Sequence, residues 1–337
     1  MSARRLRASL RGWGGVGAMG VVLAVTAVFA LLLPVCTVQE DGSAGVGGQG
    51  VAQGTQVKAD DTCTAPQDQS PAPSGDESGK TITAIKERGY LSVGVDQNSY
   101  RWGYRDPNNT EKSSDLEGFD IDFAHEIAKE ILGDPAAVRF HAIPTNQRIP
   151  AIKAGQVDMV VRTMTITCAR LEEVAFSAPY FQTGQQVLAP KTSDIKGYDG
   201  TLAKKKICSA SGSTAYDKLD ADKKAGKLAS SADISTTVPN QLDCLVRLQL
   251  GQVDAVVTDG ALAASQAAQD PTVELKGKTF TTEYYGVAMK LGADDLVRRV
   301  NQVLVDYRQS GGWQDSYDEW LSATLGADSP SSKPPTT

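Results

Sequence analysis

The sequence predicts an α/β protein of two similar lobes, each a mostly parallel sheet flanked by helices. Two observations carry this reading. Between residues 80 and 325, short buried-type apolar runs alternate with segments of helical period. Within that stretch one pattern occurs twice. The run from Arg148 to Val161 and the run from Cys244 to Val257 share the tetrapeptide Gly-Gln-Val-Asp, at 155–158 and, 96 positions later, at 251–254. Ile149 and Ile152 of the first copy match Leu245 and Leu248 of the second in helical spacing. Each copy reads as a short helix, a Gly that ends it in the left-handed conformation, and a buried strand. Two copies at this spacing do not make a solenoid, which leaves two related lobes.

The elements follow in order. Residues 90–96 form a strand. Residues 119–132 form an amphipathic helix, with Phe119, Phe123, Ile127 and Ile131 on one face, and 138–143 a strand. In the second lobe 206–210 is a strand and 215–219 begins a helix. The last helix, 294–309, lines up Leu296, Val300, Val303, Leu304 and Tyr307. Strand–helix alternation of this kind gives parallel sheets with crossover helices.

Composition limits the chemistry. The 337 residues are 41% hydrophobic and 22% charged, with a net charge of −6 and no basic block beyond the N-terminus. Nucleic-acid binding needs a basic face, so no nucleic-acid partner is expected. The two histidines, His125 and His141, have no second ligand at metal-binding spacing, and the five cysteines form no CxxC. No metal and no cofactor are expected.

The ends read differently from the middle. Arg4, Arg5, Arg7 and Arg11 precede an uncharged, mostly apolar stretch from Val16 to Val35. That is longer than a usual signal core and long enough to span a bilayer, with the arginines holding the N-terminus inside. Residues 1–36 are therefore expected to be a signal or membrane anchor. The alternatives are an uncleaved helix, lipidation at Cys36, or simple secretion. Residues 37–79 contain no Ile, Leu, Met, Phe, Trp or Tyr and carry seven acidic residues against Lys58 alone. Such a stretch buries too little surface to offset its ordering entropy and is expected to be a disordered tether. Residues 326–337 are expected to be a disordered tail.

Ligands of such sheets sit beyond the carboxyl ends of the strands. On the repeat alignment Thr163 falls opposite Asp259, each just after its strand. The first-lobe strand runs into Thr163-Met164-Thr165-Ile166-Thr167-Cys168-Ala169-Arg170. Hydroxyls leading to a guanidinium suit a carboxylate. In the second lobe Ser211-Gly212-Ser213-Thr214 opens a helix, whose free N–H groups favour an anion, while Asp259 suits an ammonium. Taken singly, a Ser or Thr here is more often a helix cap than a contact, and Arg170 alone more often a surface ion pair. The repeat-related placement is what points to a zwitterionic amino acid.

These motifs resemble the type II periplasmic solute-binding proteins, in the polar amino-acid-binding branch of ABC importers (bacterial extracellular solute-binding proteins, family 3, glutamate/glutamine type). The resemblance runs from residue 90 to about 321. It rests on Leu91–Asp96, Gly118–Asp122, Arg148–Ile152, Thr163–Arg170, Phe176–Tyr180, Gly212–Thr214, Val253–Asp259, Tyr285–Val287 and Gly311–Trp313 with Trp320. It implies a two-lobed fold with two hinge strands: lobe 1 from 80–187 plus 286–325, and lobe 2 from 188–285. It implies that Arg170, Thr163 and Thr165, helped by Thr214, hold the ligand α-carboxylate, and that Asp259 holds the α-ammonium; Ser213, at the same helix start, is a further ligand-binding candidate. It further implies an extracytoplasmic domain and an ABC permease as membrane partner. Enzymes exist on the same fold, as do sensors that signal through a membrane partner, but no acid–base constellation accompanies Asp259, so no enzyme is expected.

Two positions depart from the family pattern. Where members often stack the ligand between aromatics, this chain has Ser99 and Thr145, with Tyr100 or Trp102 as substitutes. Arg148 and Arg101 are the candidates to read a side chain, and they favour glutamate, with glutamine, aspartate and asparagine close behind. The cysteines fit an exported protein. Cys208 ends a strand and Cys244 begins a helix of the same lobe, Cys168 lies two residues from Arg170, and Cys63 is in the tether. The expected disulfides are Cys208–Cys244 and Cys63–Cys168.

Overall fold

A computed structural model describes residues 63–106, 116–327 and 329–335. The expected anchor, Cys36 and residues 37–62 of the expected tether lie outside the described residues. Among the described residues no helix is long and apolar enough to cross a membrane.

The apolar runs build two five-stranded sheets of matching topology. In the first, the spatial order is Val138–Ala142, Leu91–Val95, Met159–Val160, Ala288–Met289, Ala175–Phe176. The first three run parallel, and Ala288–Met289 is antiparallel to both of its neighbours. In the second, the order is Asp233–Val238, Lys206–Ala210, Ala255–Asp259, Gln185–Pro190, Val273–Lys276. Again the first three are parallel, and the fourth is antiparallel to both neighbours. The chain passes from the first sheet to the second through Phe181–Thr183. It returns through Glu283–Tyr285, and these two segments pair antiparallel.

The repeat makes the same backbone device in each sheet. Helix Arg148–Lys153 stops before Gly155 (φ 67°), and helix Gln241–Gln249 before Gly251 (φ 65°). The N–H groups of Gly155 and Gly251 donate to Ile152 and Leu248. Asp158 then brackets the first strand of its sheet. Its N–H donates to the Ser92 carbonyl at 2.9 Å and its carboxylate accepts the Ser92 N–H at 2.8 Å. Asp254 does the same to Lys206, at 2.8 and 2.7 Å.

Apolar periodicity sets the packing. Helix Phe119–Leu132 buries Phe119, Phe123, Ile127 and Ile131 and ends at Gly133 (φ 77°). It packs on the first sheet beside helix Asp294–Gln309, whose Leu296, Val300, Val303 and Leu304 are buried. The second sheet has its own core around Val187, Ile207, Leu219 and Val257.

Both expected ends need correcting where they are described. Residues 63–79 form a strap on the first lobe. The Ser70 hydroxyl donates to the Phe176 carbonyl, Asn301 donates to Pro71, and the N–H of Ser74 donates to the Arg298 carbonyl. Glu77 pairs with Arg299 at 2.8 Å and also with Lys86. A segment without large apolar side chains is here ordered by backbone and charge partners on helix Asp294–Gln309 and by a disulfide, which composition does not register. The segment after Leu325 is also packed: Ser331 donates to the Gln182 carbonyl, and Ser332 and Pro335 are buried.

The structure bonds Cys208 to Cys244 and Cys63 to Cys168, with Cα–Cα distances of 5.6 and 5.9 Å. The first ties strand Lys206–Ala210 to the repeat helix of the second lobe. The second ties the strap to the short helix Cys168–Leu171.

Candidate functional site

The first-lobe half of the site begins where strand Met159–Val160 runs out. Thr163 takes a left-handed φ of 41°, unusual for a β-branched residue and a mark of strain held by its surroundings. Its N–H donates to the Asp120 carboxylate at 3.0 Å. Asp120 also accepts from the Tyr180 hydroxyl at 2.8 Å. Burial pushes the Asp120 carboxyl up to about 7 against these bonds. Beyond this turn the Thr167 side chain caps helix Cys168–Leu171 by accepting the Arg170 N–H. Arg170 is thereby aimed back across the turn, where it donates to the Thr165 carbonyl at 2.7 Å and to the Gly212 carbonyl of the second lobe at 3.1 Å.

Arg148, at the start of its helix, converges on the same point. It donates to the carbonyls of Thr145 (2.8 Å), Arg162 (3.3 Å) and Gly212 (3.3 Å). Burial lowers the pKa of both arginines, and for Arg148 the charges of Arg170 and Arg162 add to this. Gly212 lies where the lobes meet. A Cβ there would stand 3.0 Å from Asn146 Cα.

The second-lobe half comes from the ends of two parallel strands. After Lys206–Ala210, Ser213 caps helix Thr214–Lys224, accepting the Tyr216 N–H and donating to the Ala210 carbonyl. Thr214 follows, and its hydroxyl donates to Glu283 at 2.8 Å. Asp259 ends strand Ala255–Asp259 and accepts from the Tyr285 hydroxyl and the Gln185 amide. Burial, then the neighbouring Glu283 carboxylate, push the Asp259 carboxyl up to about 7. Glu283, on the returning crossover strand, also accepts from the Thr165 hydroxyl at 2.7 Å and from Gln185 at 3.0 Å.

The structure thus brings together Arg170, Arg148, Thr163, Thr165, Thr214 and Asp259. It uses Ser213 as the helix cap, with both hydroxyl functions taken inside the second lobe. It turns two expected residues away. Arg101 donates to the Trp320 carbonyl at 3.0 Å and lies over the Tyr100 ring. Trp102 is fully buried, edge-on to Phe119, Phe181 and Tyr285, and is a core residue. Its large apolar ring is better covered by that aromatic cluster than by a polar cleft.

Three residues that carry the site were not foreseen: Gln185, Glu283 and Arg162. The first two lie on or beside the crossover strands. The third follows Val161 in the repeat, and its partners come from distant segments. Arg162 is fully buried and pairs with Asp96 at 2.8 Å. It donates to the Thr145 hydroxyl at 3.0 Å and to the Asn240 side-chain oxygen of the second lobe at 3.2 Å. Thr145 in turn donates to Gln241 at 3.1 Å. A cavity of about 500 Å³ opens beside this contact, lined by Thr145, Arg148, Met164, Arg170 and Gly212 among others. Chemically, the site offers guanidinium and hydroxyl donors for an anion and two carboxylates for a cation, drawn from both lobes.

A model of the bacterial extracellular solute-binding proteins, family 3, matches residues 91–323. The chain belongs to this family. Among relatives of this family 3 protein, the ABC transporter glutamine-binding protein GlnH of Bacillus subtilis (strain 168) is 34% identical over 241 residues, covering 72% of this chain and 84% of the relative. The glutamate-binding protein GluB of Corynebacterium efficiens is 28% identical over 267 residues, covering 75% and 84%. Among solved structures, a solute receptor for L-cysteine of Neisseria gonorrhoeae superposes with a TM-score of 0.67 at 26% identity, covering 76% of this chain and 99% of that one. An ancestral arginine-binding protein bound to glutamine gives 0.61 at 34% identity, covering 69% and 98%. The two-sheet α/β architecture is that of these family members.

Proposed function

We propose that the chain is an extracytoplasmic receptor for a free polar amino acid that presents its ligand to an ABC importer. The reading rests on the convergence of Arg170, Thr165 and Thr214 with Asp259 and Glu283 from two lobes joined by paired crossover strands. The guanidinium and hydroxyls would take the α-carboxylate, while the carboxylates would take the α-ammonium. These groups sit on both lobes, so a ligand held by all of them favours the closed arrangement, the form a membrane partner would recognise. Matched relatives are named as glutamine- and glutamate-binding proteins of this kind, and binding without turnover is the activity proposed. Glutamate, the side chain the sequence favours, rests on Arg148 and Arg101. The structure directs Arg101 elsewhere and satisfies Arg148 with backbone carbonyls.

A thermal-shift screen of the twenty amino acids tests the reading. A ligand at a hundred times its dissociation constant adds about 2.7 kcal/mol. One or a few polar amino acids should raise the midpoint, and their methyl esters should not. Absence of a shift from every free amino acid would remove the proposal.

A further inference from the structure

The two disulfides differ in what surrounds them. Cys208 and Cys244 are fully buried in an apolar cluster of the second lobe. Cys63 and Cys168 are each half-buried, so a reagent in solution reaches this pair without opening a core. Cys63 is also the strap's first tie. Among the described residues, the hydrogen bonds of 63–69 run within that segment, apart from the Cys63–Cys168 link itself. The next attachment to the lobe is Ser70, which donates to the Phe176 carbonyl.

The other end of this disulfide lies inside the run that carries the site. Cys168 opens the four-residue helix Cys168–Leu171, and Arg170 sits two residues on. A single turn makes too few internal hydrogen bonds to hold its own place. It is placed from outside: by the Thr167 cap, by Leu171 packed on the apolar cluster around Ile152 and Phe176, and by the bond from Cys168 to Cys63. Of these three, only the disulfide is a bond that a reagent can break and remake. Gln69 gives the pair a direction. Its side-chain amide donates to Cys63 Sγ at 3.4 Å. A donor at that sulfur stabilises negative charge there, which makes Cys63 the better leaving thiolate and Cys168 Sγ the sulfur to be attacked.

We propose that Cys63–Cys168 is a thiol–disulfide exchange site whose partner is a dithiol, and that its opening lowers ligand affinity by releasing the turn that holds Arg170. A thiolate of the partner attacks Cys168 Sγ, and the electron pair of the broken S–S bond leaves on Cys63 Sγ. The partner's second thiol then attacks the mixed disulfide and displaces the Cys168 thiolate. The partner ends as a disulfide, oxidised by two electrons, and its two thiol protons end on Cys63 and Cys168. The affinity half of this proposal rests on the receptor reading above; the exchange half does not.

The exchange is read on the oxidised full chain, its free thiols first blocked with N-ethylmaleimide. Dithiothreitol is titrated in, and newly freed cysteines are alkylated with iodoacetamide and mapped by mass. Cys63 and Cys168 should be labelled first, with Cys208–Cys244 intact and the circular dichroism spectrum unchanged. Gln69→Leu should slow that opening by roughly two- to tenfold, the effect of one hydrogen bond on a leaving group. Calorimetry with glutamine, glutamate, asparagine and aspartate, before and after selective opening, reads the coupling. Opening should lower affinity by about tenfold, and reoxidation with oxidised glutathione should restore it. By linkage, a saturating amino acid should make the bond harder to open by the same factor.

A purely structural disulfide would open only with the fold, so that both pairs are labelled together, and that result would overturn the exchange site. Unchanged affinity after selective opening would overturn the coupling to Arg170. An equal opening rate in Gln69→Leu would overturn the leaving-group assignment. In each of these cases the receptor reading survives. If none of the four amino acids binds the oxidised chain, the receptor reading and the coupling fall together, while the order of labelling still decides the exchange site.

Discussion

The two copies of the repeat share a backbone and differ in charge. Each runs helix, left-handed glycine, bracketing aspartate and buried parallel strand, with matching hydrogen bonds at Ser92 and Lys206. Three residues later they part. The first copy leaves its strand through the strained Thr163 and a hydroxyl run that delivers Arg170, a set of donors. The second ends on Asp259 and turns straight into helix Gly260–Gln269, presenting an acceptor. The repeat decides where a functional group stands, and the residues just past the strand decide its sign. A site for a zwitterion needs both outcomes from one scaffold.

The largest effects should come from the disulfide each lobe adds to that scaffold. With separations of 105 and 36 residues, losing Cys63–Cys168 and Cys208–Cys244 should cost about 5 and about 4 kcal/mol in the chain-entropy model. Denaturant unfolding of the two Cys→Ser pairs measures this. If loss of Cys63–Cys168 costs nothing, the strap is not part of the folded unit.

Next come the two strand ends. Arg170→Ala should lower ligand affinity by about thirtyfold to several-thousandfold, the effect of leaving a buried charge pair incomplete, with an unchanged circular dichroism spectrum. Asp259→Asn should lose affinity by a similar factor. A variant at either position that binds within threefold of wild type would break the donor–acceptor contrast.

The contrast also has a pH signature. An ammonium needs Asp259 ionised, and its carboxyl is raised to about 7. Affinity should therefore climb between about pH 6 and 8 with proton release on binding, and Asp259→Asn should flatten the profile. Stability should run the other way. Asp120 and Asp259 hold protons in the fold above the pH where the unfolded chain has lost them. Between roughly pH 4 and 7 the folded state thus binds more protons, so stability falls as pH rises. Asp120→Asn should reduce that slope in thermal melts recorded without ligand.

The smallest effect tests the shared half of the comparison. A Cβ at Gly155 or Gly251 meets no atom within 4 Å, so Ala substitution there probes the left-handed backbone alone. Each should lose about 1–2 kcal/mol, and the two losses should agree. A large difference in chemical denaturation would show that the copies are not equivalent backbones.

What the sequence determined is what lies close along the chain. Helices Phe119–Leu132 and Asp294–Gln309 and strand Lys206–Ala210 match their expected bounds, because apolar period and glycine stops act within a few residues. The repeat, the run from Thr163 to Arg170 and Asp259 were legible for the same reason. Only the tertiary structure decided which polar groups became partners. Glu283 meets Thr165 across 118 residues of chain, Arg162 meets Asn240 across 78, and Trp102 was drawn into an aromatic core rather than the cleft. The strap at 63–79 lacks every large apolar side chain, yet is held by a disulfide and by bonds to Arg298, Arg299 and Asn301. Periodicity reports which face of an element is buried. It carries no record of which distant charge or hydroxyl will be buried against it, because a buried polar group takes its partner from whatever the fold brings within three ångströms.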